Sequence, residues 1–316
     1  MKKAQGGYFE LALAQKKTDL MHKQAIAVNT GRNGLRYILQ AKKYKKIYLP
    51  YFTCDVVLDT IKEEGLFYEF YDININLEPL FDWQTIKTDE VFMYTNYFGV
   101  KDSYIKELVK YPCHFIIDNA QAFYAEVPSM YDSFYSPRKF LGVADGGYVY
   151  CNHTLIVEEK DVSYNRMMHL LKRLELGAEA GYSDFLINEE SLNRQPIKQM
   201  SVLTQHLIDS QDHKGIREKR VSNYMYLYEV FKKVNKLNLP LAKESVPMVF
   251  PLWIDKNIKE KLHQQRYYTA TYWANVLQWT EQSNLAYQLT KEVVYLPIDQ
   301  RVLPEDLEEM VKLILN

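Results

Sequence analysis

The chain has 316 residues, with 39 basic and 40 acidic side chains, a net charge of −1 and a pI of about 6.7. Its 47% hydrophobic and 25% charged residues exclude a disordered chain, a collagen-like repeat and a coiled-coil rod, and its length predicts about two domains. No basic excess exists to grip nucleic acid or an anionic membrane, so neither is expected as a partner. The three cysteines, Cys54, Cys113 and Cys151, are too scattered for a disulfide scaffold or a zinc site and suit a reducing cytoplasm. The first residues, with Lys2, Lys3, Glu10, Lys16 and Lys17, lack the apolar stretch of a secretion signal. No run of about 18 apolar residues is present to span a bilayer.

The first half alternates helical and strand patterns. Asn33 to Tyr44 reads as a helix with Leu35, Ile38 and Leu39 on one face, and the basic cluster Lys42, Lys43, Lys45, Lys46 as its solvated end. A strand over Ile47–Leu49 is closed by Pro50, and Asp55 to Glu64 reads as a helix. Strands follow over Phe67–Tyr71 and Val91–Thr95, then a helix over Ser103–Lys110, then strands over His114–Asp118 and Gly147–Tyr150. This alternation predicts an α/β fold with a mostly parallel sheet flanked by helices. From Val162 to Val234 helical patterns dominate. Asn238-Leu239-Pro240 reads as a boundary, which divides the chain into a large domain, 1–238, and a small C-terminal α+β domain, 239–316. The small domain is expected to hold strands over Met248–Ile254 and Val293–Pro297 and helices near Asn257–Gln264 and Pro304–Leu315.

Open α/β sheets bind ligands at the carboxyl ends of their strands. There the apolar run Ile116-Ile117 delivers Asp118, with Gln121 three residues on. Lys139 follows, with Ser136 three residues before it and Asp145-Gly146-Gly147 shortly after. Singly, each has an ordinary explanation: an aspartate after a strand forms turns, and Thr30 could simply cap the first helix. Their order suits pyridoxal phosphate chemistry. A lysine amine captures an aldehyde, a carboxylate keeps a pyridine nitrogen protonated, and a helix start offers N–H groups to phosphate. Thr30-Gly31-Arg32-Asn33 supplies that helix start.

On these residues the chain resembles the DegT/StrS-type sugar aminotransferases, fold-type I enzymes of the aspartate aminotransferase superfamily that build amino sugars on nucleotide carriers. The matching stretches are Thr30–Leu35, Leu49–Thr53, Asn96–Gly99, Asp118–Gln121, Lys139–Gly147 and Leu296–Asp299. The resemblance implies pyridoxal 5′-phosphate as cofactor, with Lys139 as the cofactor-bearing lysine and proton shuttle and Asp118 on the ring nitrogen. It places Gln121 near the ring hydroxyl and Gly31, Arg32 and Asn33 on the phosphate. Ser136 adds a phosphate contact, with Ser133 as the alternative. It further implies an aminotransferase moving an amino group, from glutamate, to a keto sugar nucleotide in amino-sugar or polysaccharide biosynthesis, as a cytoplasmic homodimer. The alternatives are a non-catalytic or regulatory pyridoxal-phosphate-binding homologue and another pyridoxal-phosphate-dependent amino-acid enzyme.

Two departures from the family pattern stand out. Cys54 occupies a position where relatives place an aromatic on the cofactor ring, leaving Phe52 or Tyr97 as substitutes. Gln195–Met200 lacks the Gly-x-Asn-x-Arg segment that relatives extend to the partner's phosphate, although Asn193 and Arg194 lie nearby. Tyr164–Tyr182 reads as an amphipathic helix with Met168, Leu171 and Leu174 on its apolar face, and His169 or Arg173 as candidates for the cleft. Among the C-terminal aromatics, mainly core, Tyr272 and Trp273 are the candidates for cleft-facing members. No histidine or cysteine spacing suits a metal, and no glycine-rich dinucleotide or P-loop motif occurs.

Overall fold

The computed structural model describes residues 5–14 and 20–316. The expectation of a leaderless start falls partly on residues 1–4 and 15–19, outside the described residues. The first part of the chain runs β1 (Ile26–Val28), α1 (Gly31–Lys42), β2 (Lys46–Pro50), α2 (Asp55–Glu63), β3 (Phe67–Ile73), β4 (Pro79–Leu80), β5 (Glu90–Thr95), α3 (Asp102–Glu107), β6 (His114–Asn119), β7 (Asp132–Tyr135) and β8 (Gly147–Tyr150). A helical stretch follows: α4 (Met168–Leu176), α5 (Tyr182–Ser191), α6 (Val202–Asp209) and α7 (His213–Phe231). The last part holds β9 (Val249–Leu252), α8 (Lys259–Gln264), α9 (Val276–Trp279), α10 (Leu285–Glu292), β10 (Val294–Pro297) and α11 (Pro304–Leu315).

Strands β1 to β8 form one sheet in the order β1-β8-β7-β6-β5-β2-β3-β4. The central pairings β7–β6, β6–β5, β5–β2 and β2–β3 are parallel, while β8 pairs antiparallel with β7 and β1, and β4 with β3. Strands β9 and β10 pair antiparallel in a small second sheet.

Successive side chains on a strand point to opposite faces, and this alternation builds a core on each side of the sheet. Ile47, Leu49, Val91, Met93 and Ile116 face a layer made by Leu35, Ile38 and Leu39 of α1 and Val57, Leu58 and Ile61 of α2. Tyr48, Phe92, Tyr94, Phe115 and Ile117 face the other way. There they are continuous with Tyr224, Leu227 and Phe231 of α7 and with Phe250, Leu252 and Tyr295 of the second sheet. The α/β class, the mostly parallel sheet and the second sheet agree with the sequence expectation.

Three expectations need correction. The end of α1 is not simply solvated: the Lys42 ammonium is largely buried and pairs with buried Asp132 at 3.2 Å. Strand β7, which Asp132 and Ser133 hide in the sequence, lies between β6 and β8, and the Lys42 pairing compensates the buried charge of Asp132. Helix α4 packs on α5 through His169 and the Lys172–Asp184 ion pair, so Met168, Leu171 and Leu174 point outward instead of into the core.

Candidate active site

The carboxyl ends of the parallel strands, the start of α1 and the start of β8 meet at one place. At the start of α1, the Thr30 hydroxyl accepts the Asn33 N–H at 3.0 Å, and the first turn carries no acidic residue. The N-terminus therefore keeps its positive end open to an anion. The chain is packed tightly here. A Cβ on Gly31 would lie 3.2 Å from the Ser136 Cβ, and one on Gly147 only 2.4 Å from the Thr30 carbonyl oxygen. Glycine is required at 147 because backbone approaches backbone.

Strand β6 places Asp118 at its carboxyl end, in register with Thr95 of β5 and Phe134 of β7. The carboxylate is buried, and its Oδ1 accepts the Ala120 N–H at 2.8 Å. Burial holds this carboxyl above its ordinary range, while the Lys139 charge and the Ala120 N–H pull it down. Lys139 ends a single 3₁₀ turn, Pro137–Lys139, one residue beyond the loop from β7, and is solvent-exposed. Its charge also reaches Cys54 at the N-cap of α2, whose thiol burial pushes up to about 12. Asp118, Lys139 and Cys54 thus share one electrostatic neighbourhood. Gln121 lies just past β6. Its Oε1 accepts the Phe98 N–H at 3.0 Å, and its buried Nε2 has no partner. An unsatisfied buried donor costs roughly 1–3 kcal/mol and marks a place where an acceptor belongs.

Other expected residues separate. Ser136 sits against Gly31, whereas Ser133 is buried within β7. The Asn33 side chain donates to Asn29 Oδ1 and the Pro196 carbonyl, both at 2.8 Å, so only its backbone serves the helix start. Arg32 reaches Leu192 O at 3.2 Å and Asn193 Oδ1 at 2.8 Å. Phe52 and Tyr97 are fully buried with their ring centroids 5.5 Å apart, and Cys54 lies within reach of the Lys139 charge. Trp273 is buried against Phe52, and Tyr272, half-buried, lies between Tyr295 and Phe98. His169 is buried against Phe185, and Arg173 is exposed.

The residues that fix the lysine loop were missed in the sequence. Phe140 O, next to Lys139, accepts Gln300 Nε2 at 2.9 Å and Arg220 Nη2 at 3.4 Å, while Arg220 Nη1 donates to Met248 O at 2.9 Å. Asp145 is buried and accepts from Arg166 Nη1 at 2.7 Å and from the Thr204 hydroxyl, so it braces the loop from behind. A buried arginine in the middle of a helix carries no sequence signal that separates it from an exposed one. Two surface depressions of about 790 and 560 Å³ border residues 154–160 and include neither Lys139 nor Asp118. Among the described residues no group of three or more His, Cys, Asp or Glu is placed to hold a metal, and no helix is long and apolar enough to cross a membrane.

No family model and no curated protein matches the chain. Solved structures do match. Helicobacter pylori PseC, an aminotransferase involved in the biosynthesis of pseudoaminic acid, superposes with a TM-score of 0.63 at 14% identity, over 92% of this chain and 85% of that one. The chain has the fold of the fold-type I sugar aminotransferases. The aminotransferase TlmJ from Streptoalloteichus hindustanus gives 0.65 at 13% identity, over 92% and 84%. NtdA from Bacillus subtilis, with bound cofactor PMP, gives 0.65 at 12% identity, over 92% and 72%. At these identities the likeness is one of fold, and the residues above carry the chemistry.

Proposed function

We propose that this protein is a pyridoxal-phosphate-dependent aminotransferase that transfers an amino group, with glutamate as donor, to a nucleotide-linked keto sugar in amino-sugar or polysaccharide biosynthesis. The observation that carries this is the convergence of Lys139 and Asp118 at neighbouring strand ends beside the open start of α1.

The residues present fit the cofactor. The free Nε2 of Gln121 supplies a donor with no protein acceptor, and Gly31 leaves room beside Ser136 that a side chain would fill. Bound pyridoxal phosphate would supply an aldehyde that condenses with amines and an aromatic ring that withdraws electrons. Asp118 would hold a proton on the ring nitrogen. Its carboxylate is oriented by Ala120 N–H, and its raised affinity for protons matches a group meant to face a cation. Lys139, exposed at the end of a fixed turn, would take and return the proton between cofactor and substrate carbons. Gln300 and Arg220, by holding Phe140 O, keep that turn in place. The backbone N–H groups of Gly31 and Arg32, with Ser136, would receive the phosphate at the helix start.

The sugar class and its place in biosynthesis are supported by the named activity of PseC and the other sugar aminotransferases of this fold. Association as a homodimer is supported by the outward apolar residues of α4 and α5. Leu171, Leu174, Leu176, Leu186 and Ile187 are all exposed in the single chain, more apolar surface than a lone helix pair usually leaves to water. A near-neutral chain with free cysteines suits the cytoplasm. The test is the donor half-reaction. Adding glutamate to the cofactor-loaded protein is expected to shift the visible band and release one equivalent of 2-oxoglutarate, and a panel of keto sugar nucleotides then identifies the acceptor. A Lys139→Ala protein that still turns over at the wild-type rate contradicts the proposal.

A further inference from the structure

Three loops at the carboxyl ends of the parallel strands are each held by a donor from the part of the chain built around β9 and β10. After β2, the Thr53 carbonyl, next to Cys54, accepts Asn275 Nδ2 at 2.9 Å. After β5, the Phe98 carbonyl accepts the Met248 N–H at 2.7 Å, while the N–H of the same Phe98 fixes the amide of Gln121. After β7, the Phe140 carbonyl, next to Lys139, accepts Gln300 Nε2 at 2.9 Å. Asn275 stands at the start of α9, Met248 leads into β9, and Gln300 follows β10. Each donor therefore caps a carbonyl beside, or bonded through one residue to, a group of the candidate cleft.

The three donors sit on one packed body. Strands β9 and β10 pair along their whole length, and Leu252, Val276, Tyr295 and Leu296 are buried in the core shared with Tyr48 and Phe92 of the main sheet. The middle attachment is reinforced. The Ser245 hydroxyl donates to Asp102 Oδ2 at 2.6 Å, and Asp102 Oδ1 accepts Asn96 Nδ2 at 2.6 Å, which ties the residue before the turn to the same segment. Phe98 and Gly99 are both left-handed, with φ of 57° and 70°, and a Cβ on Gly99 would lie 2.6 Å from the Val246 carbonyl oxygen. The turn is thus shaped to fit against residues 245–248. The two side-chain donors do no work for their own elements: Asn275 makes no cap bond to α9, and the buried Oε1 of Gln300 has no partner.

We propose that Asn275 and Gln300 are positioning residues which, with the Met248 N–H, mount the loops of Cys54, Gln121 and Lys139 on a single rigid frame. The inference rests on the reading of Lys139 and Gln121 as cofactor contacts. Reacting groups must be held to within about 0.5 Å, and hydrogen bonds from one body to several loops fix those loops relative to one another.

The experiment measures amide hydrogen exchange by mass spectrometry on the apoprotein, for wild type, Gln300→Met and Asn275→Ala. The first variant keeps the length of the side chain and removes the donor. Loss of one hydrogen bond should speed exchange about fivefold in the peptide it anchors. Gln300→Met is expected to do so across 137–143, where the Phe140 and Leu141 N–H groups now bond to Pro137 O at 2.9 Å. Asn275→Ala is expected to do so across 51–57 and not across 137–143. Exchange across 114–119 in β6 should stay at the wild-type rate in both, and the melting temperatures should stay within about 2 °C of wild type, as expected for the loss of a single partly exposed bond. On mixing with pyridoxal phosphate, Gln300→Met should develop its visible band about tenfold more slowly than wild type, because the lysine turn is no longer held in place. Faster exchange spread equally over all three peptides, or none in the anchored ones, overturns the inference, as does a band that forms at the wild-type rate in Gln300→Met. Wild-type protein that develops no visible band refutes the aminotransferase proposal, and the exchange pattern of the apoprotein then decides the mounting of the loops separately.

Discussion

Replacing Gly147 by alanine probes the packing that creates the helix-start site. The new methyl would lie 2.4 Å from the Thr30 carbonyl oxygen, 2.6 Å from its carbon and 2.8 Å from the Gly31 nitrogen. All three are backbone atoms, so no side chain can swing aside. Restoring ordinary contact needs a displacement of about 1 Å between β8 and the start of α1. Overpacking of this kind costs about 1–3 kcal/mol. The shift would also move the N–H groups of α1 away from Ser136 and strain the Gly146 N–H to Asn29 O bond, now 2.7 Å. A misplacement of that size costs up to about 100-fold where geometry must be exact. Gly142→Ala is the control, since its Cβ would meet nothing within 4 Å. Thermal unfolding and cofactor titration of both variants are the assays. Gly147→Ala is expected to melt lower and bind pyridoxal phosphate at least tenfold more weakly, a loss of about 1.4 kcal/mol, with Gly142→Ala unchanged. Equal melting and equal affinity in the two variants would refute the close-approach argument.

The remaining predictions concern the scaffold and its surface. Burial holds the His22 pKa down to about 4, against an ordinary 6.5. The unfolded chain therefore binds the extra proton first, and stability is lost as the pH falls from 6.5 towards 4, by about 3 kcal/mol in all. Denaturant titrations across that window should show a steeper acid loss in wild type than in His22→Gln, and parallel slopes would contradict the assignment. Asp145→Ala removes the buried acceptor of Arg166 and Thr204, and about 3 kcal/mol of stability should go with it. A melting temperature within 1 °C or so of wild type would show that the brace is dispensable, since 1 kcal/mol shifts it by about 2–4 °C at this size. Leu171→Glu with Leu174→Glu places charge on the exposed face of α4 and should yield a monomer in sedimentation analysis while leaving the fold intact by circular dichroism. An unchanged sedimentation coefficient would contradict the proposed association through α4.

Much of the fold was legible because the sheet strands are apolar runs bounded by turn residues. Ile116-Ile117 leading to Asp118 and the apolar face of α1 reappear where periodicity puts them. Strand β1 is only Ile26–Val28, too short to show a period, and β7 opens with Asp132, whose buried charge is paired by Lys42, far away in sequence. The apolar face of α4 was read correctly as apolar but assigned to the core, because periodicity reports a face and not what covers it. At the site, Lys139, Asp118 and Gln121 stand out since each follows a recognisable strand or turn. The side chains of Asn33 and Arg32 run to Asn29, Pro196, Leu192 and Asn193, because adjacency to a helix start does not fix which way a side chain reaches. Arg220 and Gln300 act through long-range contacts that no local pattern encodes.

Borohydride reduction of the protein loaded with pyridoxal phosphate, followed by proteolysis and mass spectrometry, tests the central claim most directly. The cofactor mass should appear on a single peptide, fixed to the ε-nitrogen of Lys139, and Asp118→Asn should load weakly at the same residue. Reduction that leaves the Lys139 peptide unmodified, or that labels another lysine in preference, would contradict the assignment of this cleft.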